Sequence, residues 1–379
     1  MNFNFGRKKK KTEQAVMQTA VSSGYSESLF SYFGSHNAYN GCERQLYRSL
    51  RENIPIIDAA VYKIIRLIGG FKIQCENKKI SEEINRFLDN VRVNSCESGI
   101  SSFISGYADQ LLTYGTAVGE IVMDGGGDIA GLYVSSLDDV ELCRGKSPFD
   151  LKIMAVGKGG ERIAVRYPEL ILCSVLMPEP ENVYGTSLLR GLPAVSEVFM
   201  KIIRAVGTNW DRVGNVRFAV SYKPSENERS FSKDRAKQIA GEWSKAMKSR
   251  EPKDFVTVGD VSIKVIGADN QIPDSEIPVK QLLEQIVAKL SIPPFLLGLS
   301  WSTTERMSSQ QVDILTSELD YYRSLLNTAI LKICSVYMKC RGIKEEIEIV
   351  WDSVNLQDEV ELARAKLLNA QADQIIDKG

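Results

Sequence analysis

Histidine is nearly absent: His36 is the only one in 379 residues. The seven cysteines, at 42, 75, 96, 143, 173, 334 and 340, are odd in number and include no Cys-x-x-Cys pair. Scattered cysteines of this kind read as reduced thiols of a cytosolic protein. Together with the single histidine they argue against a zinc site and against a serine or cysteine hydrolase. No apolar run approaches the roughly 20 residues of a membrane-spanning helix. The basic run Arg7 to Lys11 is not followed by an apolar segment, so it does not read as a secretory signal. Gly125-Gly126-Gly127 lacks a following Lys-Ser/Thr and precedes a strand, so it reads as a hairpin turn rather than a phosphate loop. The net charge of −1 excludes a bulk nucleic-acid binder.

What remains is an ordinary globular composition, 44% hydrophobic and 25% charged, long enough for two or three cores. Its charge is unevenly placed. Residues 223–253 hold nine Lys/Arg against five Asp/Glu, whereas residues 345–379 hold nine Asp/Glu against three Lys/Arg. Different surfaces for different partners, or chance clustering on solvated surface, both fit. Residues 1–40 are polar after the lysine run and read as a flexible arm. That run suits nucleic acid, an acidic partner or simple solubilisation.

Order begins near Arg44. Ile56, Ala60, Ile64 and Leu67 predict an amphipathic helix ended by Gly69-Gly70. Phe71 to Cys75 alternates as a strand, and helices follow over Ile80 to Val91 and Ser101 to Tyr114. Between Gly115 and Cys173 the period shortens to six strand candidates: Val118–Met123, Ile129–Val134, Val140–Cys143, Leu151–Val156, Ile163–Arg166 and Leu170–Ser174. A long helix is then expected from Thr186 or Ser187 as N-cap, with Leu188, Leu192, Val195, Phe199, Ile202, Val206 and Val213 as its stripe and Trp210 nearby. Pro193 falls in an early turn or kink.

A small α/β insertion follows, with a strand at Val216–Tyr222, a basic helix at Ser232–Lys248 and a hairpin of Phe255–Val258 with Val261–Ile266. Val279, Leu282, Leu283, Ile286, Val287 and Leu290 mark another helix, which Ile292-Pro293-Pro294 stops. Phe295 to Trp301 is too apolar for an ordinary solvated loop. Ser308 and Gln311 read as a capping box opening a helix with the stripe Val312, Leu315, Leu319, Tyr322, Leu326, Ile330, Ile333 and Tyr337. Glu346–Trp351 alternates as a strand, and Leu356–Ile376 reads as an acidic helix.

No constellation with a catalytic signature emerges. Asp138-Asp139 and Glu345-Glu346 are adjacent carboxylates, and neighbouring strand residues point to opposite faces. A turn or strand end explains them. The pattern of elements leaves two architectures open: helices covering the chain's own sheet in a monomer, or a helical stalk whose apolar stripes pack on neighbouring copies in a ring.

Two segments carry a resemblance. Tyr184-Gly185-Thr186-Ser187-Leu188-Leu189 resembles the Tyr-Gly-x-Ser-Pro-Leu entry to the stem helix of tailed-bacteriophage portal proteins, with Leu188 in place of the usual proline. Ile286 to Gly298, with Ile292-Pro293-Pro294-Phe295-Leu296-Leu297-Gly298 at its end, is similar to that family's Ile-Ala-x-x-Phe-x-Val-Pro-Pro-x-Leu-Leu-Gly segment. The order of parts agrees from about residue 40 to 376.

The resemblance implies an α+β portal-type fold: an α/β wing (41–185 and 308–353), a two-helix stem (186–213 and 278–290), a clip (214–277), a tunnel loop (291–307) and a short crown (354–379). It implies a non-enzymatic ring of about twelve subunits at one capsid vertex, assembled in the host bacterial cytoplasm, without cofactor or metal. Double-stranded DNA would pass through it non-specifically. Its partners would be the terminase large subunit, the major capsid protein and scaffold, and head-completion proteins.

In the tunnel loop, Ser300, Trp301, Ser302, Thr303, Thr304, Glu305 and Arg306 would face the channel. Glu305 and Arg306 cancel, and Trp301 either contacts DNA or packs on a neighbouring loop. In the clip, Lys237, Trp243, Lys245 and Lys248 suit docking an acidic surface, or else the tryptophan packs inside the clip with its lysines solvated. A metal-dependent nucleic-acid-processing enzyme using Asp138 and Asp139, and a ring-forming adaptor without DNA passage, are the competing functions.

Overall fold

The computed structural model describes residues 42–147, 150–157, 159–180, 182–214, 217–222, 237, 241, 261–266, 275–299 and 305–354. The chain opens with α1 (Cys42–Asn53), a helix the apolar pattern did not announce because only Leu46, Tyr47 and Leu50 are buried on it. Charge fixes it instead. Arg51 donates to Asp58, Asp109 and the Thr113 hydroxyl at 2.6–2.8 Å, pinning α1 to the two helices that carry those residues. Ile54 is extended because it precedes Pro55, and Pro55 starts α2 (Pro55–Ile68), where its missing N–H costs no bond.

β1 (Phe71–Gln74) follows, then α3 (Lys78–Asn90), capped by Asn77 accepting from Lys79 N at 3.1 Å. The Asn85 amide both accepts from Ile73 N and donates to Ile73 O, standing in for a neighbouring strand beside β1.

β2 (Arg92–Val93), β3 (Glu97–Ser98), α4 (Ile100–Tyr114), β4 (Thr116–Met123) and β5 (Ile129–Val134) come next. The glycine triplet is the β4–β5 turn, in which Asp124 accepts from the backbone N–H of Gly126 and Asp128. β6 (Val140–Arg144), β7 (Leu151–Val156) and β8 (Arg162–Ala164) form a separate antiparallel sheet, and β9 (Ile171–Val175) returns to the larger one. That sheet has the order β3-β2-β5-β4-β9, antiparallel except where β2 meets β5. Phe103, Tyr107 and Leu111 of α4 lie buried in the main core, and Gln110 bridges Val118 N and Ser135 O. Val118 and Ile171 face the other way, towards Leu137 and the small sheet.

α5 (Leu192–Gly214) leads to β10 (Arg217–Tyr222). β11 (Val261–Ile266) pairs with β10 antiparallel, Arg217 opposite Ile266. The expected partner at 255–258 lies outside the described residues. α6 (Glu276–Lys289) and α7 (Glu305–Arg341) follow. α7 begins three residues before the expected start, so Ser308 and Gln311 lie inside it and form no capping box. Nothing in Glu305-Arg306-Met307 breaks a helix, and a glutamate in the first turn favours it. Its 37 residues make it about 55 Å long. From Leu315 to Tyr337 its predicted stripe is buried; Val312 is half-buried.

α7 covers the open edge of β9, where Lys332 donates to Ile171 O at 2.7 Å. Burial holds that lysine below its usual pKa and pushes the thiol of nearby Cys173 up to about 11. The buried Cys334 thiol rises to about 12, so both cysteines stay protonated and inert at neutral pH.

β12 (Glu348–Trp351) closes the body by pairing with β1, Phe71 opposite Trp351. Arg323 of α7, nearly buried, locks this corner. Its Nε and Nη2 donate to Ile68 O at the end of α2, Nη2 also reaches Asp352 O at 2.8 Å, and the guanidinium lies over the Trp351 ring.

Candidate functional site

The first of the two singled-out segments is a socket built on the end of α4. The last turn of any helix leaves carbonyls without internal donors. Here Leu188 N donates to Leu112 O at 3.0 Å, and the Ser187 hydroxyl donates to Thr113 O at 2.6 Å while accepting from Leu189 N. Gly115, left-handed at φ +78°, ends α4 and offers its carbonyl to Leu176 N at 2.8 Å. Gly185 lies directly over that peptide. A Cβ on it would collide with the Gly115 carbonyl oxygen and come 2.5 Å from Leu176 N. Its own N–H is held by the Thr116 hydroxyl, and Thr186 N bonds Leu176 O. Tyr184 reaches sideways: its hydroxyl accepts from Leu142 N at 2.9 Å, filling the outer edge of β6.

Ser187 is therefore a tie to α4 and not an N-cap. Residues 188–191 form a turn, and α5 starts only at Leu192, with Pro193 in its first turn where no hydrogen bond is lost. The residues expected to begin a helix are spent on fixing where it begins. A glycine just after a periodic helix was a readable signal for Gly115; nothing in the sequence pointed to its contact with Gly185.

The second segment is a bracket below α6. After Leu290 the chain turns through Ser291 at φ +52°, a conformation uncommon outside glycine. Ile292 and Pro293 are buried, and Pro294–Leu297 is a 3-10 turn ended by Gly298 at φ +75°. Leu299 N returns to Pro294 O at 3.1 Å. The turn packs on α2, with Leu296 and Leu297 against the main core. The apolar character of this loop is thus used mainly at those two leucines, while Phe295 is 40% exposed.

Between socket and bracket, α5 and α6 pack side by side. At the body end the seam is closed: Leu192, Ile286, Val287 and Leu290 are buried. Farther out it is not. Val195, Phe199, Ile202 and Val206 on α5, and Val279, Leu282 and Leu283 on α6, are only half-buried, while Val198, Ile203, Trp210 and Ile277 are exposed.

Among the sequence-expected site residues, Glu305 and Arg306 open α7, and Lys237 is helical and exposed. Ser300 to Thr304, Trp243, Lys245 and Lys248 lie outside the described residues. Asp138 sits in the turn before β6 and pairs with Arg44 at 2.8 Å, and Asp139 contributes its carbonyl to Val156 N. That is the turn reading rather than a carboxylate dyad. Among the described residues no group of three or more His, Cys, Asp or Glu side chains is placed to hold a metal ion.

No protein-family model matches this sequence, and neither does any curated protein. Solved structures do. A chain of the native gene transfer agent virion aligns over 87% of this chain and 89% of its own length, with a TM-score of 0.64 and 14% identity. A chain from the neck of the native gene transfer agent particle, computed with C12 symmetry, aligns over 86% and 88% with a TM-score of 0.62 and 15% identity. An HK97-family phage portal protein from Corynebacterium diphtheriae aligns over 80% and 94%, at 13% identity and a TM-score of 0.45. The fold assignment rests on the first two. This mixed α+β chain has, over most of its length, the fold of those gene transfer agent particle chains.

Proposed function

We propose that this chain is the subunit of a portal, a ring at one capsid vertex through which a separate motor packages DNA and through which the DNA later leaves. The observation that carries the reading is the fold shared, nearly end to end, with a chain from a particle neck computed with C12 symmetry. The order of parts supports it: socket, helix, insertion containing β10 and β11, helix, bracket, long helix. On this reading the wing is 41–185 with 308–353, and α5 and α6 are the stem. Residues 214–277 form the clip that docks the terminase motor and then the head-completion proteins. The wing and stem meet the capsid protein and scaffold, and residues 354–379 form the crown.

The channel moves DNA and performs no chemistry on it. Lysine and arginine contacts to phosphate are what make DNA binding tight, so a translocation path must keep them few. Residues 300–306 offer one arginine beside one glutamate, and the crown, residues 354–379, holds five Asp/Glu against three Lys/Arg, a mild negative charge that disfavours the DNA backbone. The bracket gives the tunnel loop a packed base from which to project.

Native mass spectrometry and negative-stain microscopy of the purified chain are expected to show rings with a central hole wide enough for duplex DNA. A monomer persisting across concentration and salt, or a hole narrower than the duplex, defeats the proposal. Deleting Ser300 to Glu305 is expected to leave the rings intact while DNA packaging or retention falls sharply in a particle assay. Loss of folding on that deletion would instead make the loop part of the core.

A further inference from the structure

A groove of about 290 Å³ lies between the last turn of α2 and the first turns of α4. One water occupies roughly 30 Å³ of the liquid, so the groove has room for side chains. Ile65, Ile104 and Ala108 give it an apolar floor, and Gly70 and Ser105 also line it. Its one charged lining residue is Arg66, which is exposed and makes no hydrogen bond or ion pair among the described residues.

The chain leaves the body beside this groove. Asp352 N donates to Gly70 O at 2.9 Å, and Arg323 holds the Asp352 carbonyl at 2.8 Å. Val354 then packs half-buried on the main core. Leu356 is four residues past Asp352, at most about 14 Å of extended chain from a residue bonded to the groove's rim.

The stretch that follows complements the groove in charge and in pattern. Residues 355–361, outside the described residues, carry Asp358, Glu359 and Glu361 and no basic residue. On the helix expected over Leu356–Ile376, Leu356, Val360 and Ala363 share one face, and Glu359 flanks it. We propose that this stretch folds back into the groove of its own chain, with Leu356 and Val360 on the apolar floor and Glu359 against Arg66. The contact stands independently of the portal reading; where that reading holds, it anchors the base of the crown to the wing.

Disulfide trapping in the full-length chain tests the contact. In a background with the exposed Cys42, Cys96 and Cys340 changed to serine, Ser105→Cys is combined with Leu356→Cys. Lys152→Cys, on the separate small sheet, is combined with Leu356→Cys for comparison. Mild oxidation is expected to link positions 105 and 356 within one chain, giving a faster band on denaturing gels that peptide mapping identifies. Positions 152 and 356 are expected to stay unlinked. Adding Arg66→Glu should slow the 105–356 link about fivefold, since an exposed attraction becomes a repulsion, and Glu359→Arg on top of it should restore the rate. Ser101→Cys replaces Ser105→Cys should the first pair lower the yield of folded chain.

Linked dimers in place of the faster band would give the groove to a second copy and overturn the proposal. A 105–356 link no faster than the 152–356 link, or one indifferent to Arg66→Glu, would overturn it too. Each result is read on denaturing gels whether or not rings form, so loss of the portal reading leaves it unchanged.

Discussion

Gly185→Ala is expected to abolish recovery of soluble, folded protein, or to lower its unfolding temperature steeply. The added carbon would occupy the space of the Gly115 carbonyl oxygen and crowd both backbone atoms of Leu176. None of these is a side chain that can swing away. All belong to peptides already bonded: Gly115 O to Leu176 N, and Leu176 O to Thr186 N at 2.6 Å. Relief requires lifting residues 184–189 off α4, which frees the carbonyls of Leu112 and Thr113 and withdraws Tyr184 from β6. Each buried group left unpaired costs about 1–3 kcal/mol, so the total is expected to reach roughly 4 kcal/mol or more.

Gly191→Ala is the contrasting control. Gly191 has positive φ, +91°, which Gly185 does not, but nothing lies within 4 Å of its missing Cβ. Its cost is backbone strain alone, roughly 1–2 kcal/mol. Thermal unfolding of the two variants side by side checks the account, which fails if alanine at 185 is tolerated as well as alanine at 191.

Arg323→Ala is expected to destabilise the body by about 2–5 kcal/mol, because two carbonyls are left without the charged donor they share, at about 1–3 kcal/mol each. Two carbonyls lose their donors: that of Ile68, where α2 ends, and that of Asp352, just beyond β12. The Trp351 ring also loses its cation. Lysine should rescue little, since a single ammonium cannot reproduce a fork that grips two backbone oxygens on separate segments. Arg341→Ala, which removes an exposed pair with Asp128 at 3.6 Å, should cost well under about 1 kcal/mol. Denaturant midpoints of the three variants order the effects. A midpoint for Arg323→Ala close to that of Arg341→Ala would remove the corner lock from this account.

How much of this was legible depends on the kind of interaction. Period alone placed α2, α4 and α7, each of which buries one face continuously, and the six strands between residues 115 and 175, although β8 is exposed throughout. Pro293 and Pro294 marked their own stop. α1 escaped because its buried face is short, Leu46, Tyr47 and Leu50, and the rest of its hold is ionic, Arg51 on Asp58 and Asp109. The starts of α5 and α7 were displaced for opposite reasons. At Ser187 a good capping residue is used by another helix, and at Glu305 the helix begins earlier because nothing prevents it. Partnering was the least readable level: β1 pairs with β12 near the far end of the chain, and β10 pairs with β11, whose expected mate at 255–258 lies outside the described residues. The site divides the same way. The two segments stood out in the sequence as motifs, but their work as socket and bracket depends on carbonyls belonging to α4 and on packing against α2.

The pairing of β1 with β12 also sets a clock. Phe71 and Trp351 are 280 residues apart, yet they sit opposite each other in one two-stranded ladder. A ribosome adding about 5–20 residues per second delivers the second strand roughly a quarter of a minute to a minute after the first. Late in that interval the socket, α5 and the insertion already exist, while the body they spring from still lacks its last strand. A nascent chain therefore carries sticky helical flanks before it has a finished base. On the portal reading, subunits released from the ribosome complete, rather than met during synthesis, are the ones able to join a ring in register.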